Sequence, residues 1–123
     1  MSGGWSSAHI VHIAEAGAWA AAVHRGTYEP ASLAREGFIH CSTPWQVVRI
    51  ANLNFAGRSD LVLLIIDPSK VGAATVFENC EDRIEPFPHI YGPVPVAAVE
   101  RVEPLRWVEG RGSFEFPDGW QLS

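Results

Sequence analysis

The sequence is short of the features that define several large functional classes. It has two cysteines, Cys41 and Cys80, too few for the disulfide framework of a small secreted domain, so both are read as free thiols of a reducing compartment. It has nine basic residues against fourteen acidic ones, for a formal net charge of -5, the opposite of the footprint of a duplex-binding protein. No stretch reaches the roughly 18 consecutive apolar residues of a membrane span, and residues 1–7 lack the basic and apolar regions of a signal peptide. The expectation is a cytoplasmic chain without a nucleic-acid or membrane partner. No CxxC or HxxxH pair offers metal-ligand spacing, and GxGxxG, P-loop and GxSxG motifs are all missing.

What is present is enough apolar material for a core: 123 residues, 47% of them hydrophobic, fit one packed domain that buries roughly two thirds of its unfolded surface. Residues 1–8 read as a flexible N-terminus and 9–123 as a single α+β domain. The alternation His9 to Ile13 predicts a strand with Ile10 and His12 on one face. Glu15 to His24 reads as a short helix closed by a left-handed Gly26, and Thr27 to Glu36 as a loop or one weak helical turn. Phe38 to Cys41 is a short strand entering a helix capped by Thr43, with Pro44 in its first turn and Gln46 completing a capping box, that runs to about Phe55 and stops at Gly57. The aliphatic run Leu61 to Ile66 is the central strand, covered on both faces. Thr75 to Glu78 is another strand. Asn79 to Pro95, with its prolines and acids, reads as a long loop of functional interest. Val96 to Val102 reads as a strand, and Trp107 to Trp120 as a hairpin around Gly110 to Gly112 or an aromatic-anchored tail.

Three groups of residues carry candidate chemistry. Gly37 to Thr43 is a strand leading directly into a capped helix, so the amides near Ser42 and Thr43 can hold a phosphate or carboxylate with His40 beside it; the plainer alternative is that Ser42 and Thr43 only cap. Pro86 to Pro93 is stiffened by prolines, and places His89 and Tyr91 on one face beside Gly92; the alternative is a loop pinned to the core. Of the acidic stretch Glu78, Glu81, Asp82 and Glu85, Glu78 is the best candidate for a general base because it ends an apolar strand. Cys41 and His40 point to opposite faces, which argues against a thiol dyad. The scattered arginines can still converge on one small anion.

The pair GFIHCST (Gly37 to Thr43) and FPHIYGPV (Phe87 to Val94), with Trp19, Gln46 and the LVLLIID strand in the same order, resembles a family known only as a domain of unknown function, DUF952, over about residues 9–103. The resemblance implies an ADP-ribosyltransferase-like fold, with a split, strongly twisted mixed β-sheet and a few short helices, and an NAD- or ADP-ribose-like ligand. On the transferase pattern His12 or His40 takes the early role, Ser42 or Tyr91 the middle one, and Glu78 or Glu85 the late one. The leading expectation is therefore a small-molecule-binding domain for a nucleotide-like or otherwise anionic ligand, with His40, His89 and Glu78 as catalytic candidates and His12, Ser42, Thr43, Tyr91 and Gly92 as ligand-binding ones. Two alternatives stand beside it: a non-catalytic interaction module anchored by Trp5, Trp45, Trp107 and Trp120, and a hydrolase or isomerase using His40 and His89 as an acid/base pair.

Overall fold

A computed structural model describes residues 9–79 and 85–117. The expectations placed on the N-terminal segment, on Cys80, Glu81 and Asp82, and on Trp120 lie outside them.

The core is organised by the aliphatic run. Strand β4 (Leu61–Ile66) lies between β1 (Ile10–Glu15) and β8 (Val99–Val108), and β9 (Ser113–Glu115) follows β8 as a hairpin, giving the order β1-β4-β8-β9. Because strand side chains alternate between faces, β4 feeds two cores. Leu64 and Ile66 pack with Ile10, Ala14, Ile39, Ile90 and Val94, whereas Leu61, Leu63 and Ile65 pack with Val11, Leu105, Phe114 and two residues of helix α3 (Pro44–Asn54), Val47 and Ala51. That double burial is why the segment reads as an uninterrupted apolar run. It also confirms the faces assigned to β1.

The second sheet has the order β3-β6-β5, from β3 (Ile39–His40), β6 (Pro86–Ile90) and β5 (Thr75–Asn79). A third, two-stranded ribbon joins β2 (Thr27–Tyr28) to β7 (Val94–Pro95). Among the described residues every strand pairing is antiparallel, so the expected mixed sheet is corrected to several antiparallel ones. A bridge between Val11 and Ser42 ties the first sheet to the second.

Helices α1 (Ala16–Arg25) and α2 (Ala31–Glu36) end at Gly26 and Gly37, whose φ values of 92° and 88° a residue with a Cβ rarely adopts. Of the loop or weak helical turn expected over 27–36, the helical alternative is realised in the short α2, preceded by β2. Helix α3 begins as expected, with Pro44 in its first turn and a capping box in which Gln46 Oε1 accepts the Thr43 N–H at 3.0 Å. Val96–Ala98 is a 3₁₀ turn ahead of β8 rather than the start of the strand.

The largest correction is β6. Residues 86–90 form the middle strand of the second sheet, with Phe87, Pro88, His89 and Ile90 buried, where a loop was expected. Prolines are tolerated because Pro86 and Pro88, two apart, turn the same edge outward from β5. On that edge no ladder donor is required of them, and their carbonyls are met by Gln46 Nε2 at 3.0 Å and Cys41 N at 3.0 Å.

Candidate functional site

Strand register assembles the site. His40 on β3 lies directly across from His89 on β6, and Val76 on β5 lies across from His89 on the other side. Residues two positions away share that face, so Phe38, Glu78 and Tyr91 join the two histidines. The two imidazole rings meet edge to face with centroids 5.3 Å apart. Phe38 stacks on His89 at 4.2 Å and 15°, and touches His40 at 4.8 Å and Tyr91 at 5.4 Å.

Carboxylates hold both rings. Glu78 Oε1 accepts from His89 Nδ1 at 2.7 Å and from the Tyr91 hydroxyl at 2.5 Å. These two donors, Tyr91 first, hold the Glu78 carboxyl below its ordinary range, and the same bond raises the Tyr91 hydroxyl. Since an ionised carboxylate only accepts, the His89 Nδ1 carries the proton. Its Nε2 is then a bare lone pair in the neutral ring, and this atom is buried without a hydrogen-bond partner. His40 Nε2 lies 2.7 Å from Glu36 Oε1, and this bond holds the Glu36 carboxyl low.

His12 supports the other side of His40. Its Nδ1 lies 2.6 Å from the His40 carbonyl and its Nε2 lies 2.8 Å from the Tyr28 hydroxyl. A carbonyl cannot donate, so Nδ1 bears the proton and Tyr28 donates to Nε2. Burial lowers the His12 pKa to about 4. Both ring nitrogens are spent, so His12 is a strut under His40 rather than the free ligand-binding group expected of it.

An open cleft of about 1170 Å³ runs along these residues, at or above the size of most small-molecule sites. Its wall includes His40, His89, His12 and Ser42, together with Arg35, Arg49 and Arg58 from three separate stretches of chain. Two glutamates join them, Glu15 and Glu85. Arg49 bonds Glu85 at 2.5 Å, and Arg58 forks onto Asp60 at 2.9 and 2.6 Å and reaches Glu15 at 3.1 Å. Arg35 is freer, its side chain 66% exposed and 3.7 Å from Glu36.

Several expected ligand contacts are reassigned. The Ser42 amide donates to Val11 O at 2.8 Å and the Thr43 amide to Gln46 Oε1, so neither is open to an anion. Gly92 is not part of the cleft wall; a Cβ there would meet Ala73 Cβ at 2.8 Å, so close packing explains the glycine. Glu78 and Tyr91 likewise stand outside the wall, behind His89. Cys41 is buried in the core, which pushes its thiol up and keeps it protonated. Trp45 is half exposed, whereas Trp107 is partly buried against Phe114. Phe38 and Tyr28 were missed as site residues; the signal for Tyr28 was a β-prone pair directly after the left-handed Gly26. Among the described residues no group of three or more His, Cys, Asp or Glu side chains is placed to hold a metal ion, and no helix is long and apolar enough to cross a membrane.

Comparison with known proteins agrees with the motifs. No curated protein matches the chain. The crystal structure of protein CC0527 from Caulobacter crescentus superposes with a TM-score of 0.78 at 30% identity, covering 91% of this chain and 97% of that one. The solution NMR structure of the same protein gives 0.70 at 29% identity, over 86% and 90%. The model of a protein family of unknown function, DUF952, matches residues 13–102, and the chain belongs to that family.

Proposed function

We propose that the cleft binds a small anionic molecule, nucleotide-like in size and charge. The observation that carries this reading is the gathering of Arg35, Arg49 and Arg58 on one wall of a chain whose net charge is -5. Arginine forks suit phosphate and carboxylate oxygens, and three of them outnumber the two glutamates of the same wall. The volume takes a nucleotide. The ADP-ribosyltransferase-like arrangement implied by the motifs fits an NAD- or ADP-ribose-like ligand. It does not extend to Glu78 as the group that stabilises an oxocarbenium ion, because Glu78 is occupied by His89 and Tyr91 outside the cleft wall; Glu15 and Glu85 are the carboxylates that line it.

The test is a thermal-shift screen against NAD, ADP-ribose, nucleotides, sugar phosphates and divalent metals. Selective stabilisation by a phosphate-bearing compound, reduced in Arg35→Gln and Arg49→Gln, is the expected result. Absence of any anion-dependent shift from well-folded protein would sink the reading.

A further inference from the structure

We propose that His89 is the general base and His40 the general acid for hydrolysis of a phosphate ester bound in the cleft, an inference that rests on the anion-binding reading. Four observations carry it. His89 has a side chain only 3% exposed, yet its Nε2 has no partner, and an unpaired buried polar atom costs about 1–3 kcal/mol. Its Nδ1 is fixed by Glu78, which is itself fixed by Tyr91, so the lone pair is aimed and the imidazolium formed on proton uptake is stabilised. His40 stands opposite in register, with its own carboxylate, Glu36. Both rings belong to the wall that carries the arginines.

The step balances with water alone. A water molecule gives a proton to His89 Nε2 as its oxygen bonds to phosphorus. The bond from phosphorus to the leaving oxygen breaks, its electron pair stays on that oxygen, and His40 supplies a proton from Nδ1, the nitrogen not engaged by Glu36. His89 leaves the turnover protonated and His40 neutral, and proton exchange with solvent restores both. Glu78 and Tyr91 are positioning residues. Phe38 stacks on the face of the His89 ring, and the neighbours around the buried Nε2 must shift for ligand and water to reach its in-plane lone pair. The charged and titratable groups around the pair are Glu78 from β5, Tyr91 after β6, Glu36 from α2, His12 from β1, and Arg49 with Glu85 at the cleft.

The experiment follows hydrolysis of bis(p-nitrophenyl) phosphate and adenosine 2′,3′-cyclic phosphate by the full chain, with AMP stabilisation measured in parallel. The wild-type protein should hydrolyse at least one ester with a bell-shaped pH profile. H89Q and H40Q should each lower kcat by roughly 10²–10⁴-fold with little change in KM. E78Q should lower kcat and displace one limb of the profile, which a merely structural role would not do. Protein that is stabilised by AMP yet leaves both esters intact overturns the catalytic proposal alone, and so does an H89Q variant with wild-type kcat. Absence of both AMP stabilisation and hydrolysis overturns the anion-binding reading and the catalytic proposal with it, and so does hydrolysis without AMP stabilisation, which would place the chemistry outside the proposed cleft. Nitrogen-15 NMR of the His89 ring gives a check independent of substrate: a bare Nε2 is expected, and an Nε2–H tautomer removes the base.

Discussion

A histidine whose two nitrogens are both satisfied within the fold is a liability in acid, and His12 is such a residue. It is buried, and burial lowers its pKa from the ordinary 6.5 to about 4. A histidine with a lowered folded pKa binds its proton more readily when the chain is unfolded. Its contribution is therefore complete above about pH 6.5 and is lost as pH falls toward 4, by about 3 kcal/mol in all. Urea melts from pH 7.5 to 4.5 should show this loss, and His12→Gln, weaker at neutral pH, should show a shallower decline over the same window. An equal slope in the variant would assign the acid lability elsewhere. At this scale strand alternation made the shared face of His89 and Tyr91 legible, and both side chains do meet Glu78. The sequence misjudged His12, Ser42 and Thr43, since hydrogen-bond partners such as Val11 O and Tyr28 Oη lie far away along the chain.

Local signals settled the elements they govern. The capped start of α3, the left-handed Gly26 and the aliphatic β4 were all legible because each depends on neighbours within a few residues. β6 was not, because its prolines forbid a ladder only on an edge that requires their donors. That edge is occupied by the short β3 and by Gln46, which are set by tertiary structure. The turn after β6 offers a sharp test. Gly92 approaches Ala73 so closely that a Cβ would sit 2.8 Å from Ala73 Cβ, while Tyr91 N donates to Ala74 O at 2.9 Å. Gly92→Ala should destabilise by about 1–3 kcal/mol, the range of overpacking in a tight site. Adding Ala73→Gly should recover most of it. Denaturant melts of the two singles and the double decide the matter, and purely additive losses would mean that the glycine serves something other than this contact.

At the scale of the whole molecule, the distribution of charge says more than its sum. A net charge of -5 argued against anionic macromolecules, yet Arg35, Arg49 and Arg58 line one cleft. Their sequence spacing held no hint of this, because the three come from α2, from α3 and from the segment after it, and only packing of both cores around β4 brings them together. On the proposed reading a small anion fits the cleft, whereas a long polyanion would also meet the rest of a chain whose net charge is -5, so size would select as much as charge does. Arg49 and Arg58 are already bound to carboxylates, which leaves Arg35, paired only loosely with Glu36, as the arginine with most to give a ligand. Arg35→Gln should weaken ADP-ribose or AMP binding by about tenfold, the effect of losing one charged hydrogen bond, without changing the melting temperature of the unliganded protein. Arg106→Gln, an exposed arginine beside Glu115, should leave binding unchanged. Titration calorimetry at two salt concentrations separates the causes: wild-type affinity should fall with salt, and the Arg35 variant should fall less steeply. Equal slopes would place Arg35 outside the contact and move the anion toward Arg49 and Arg58.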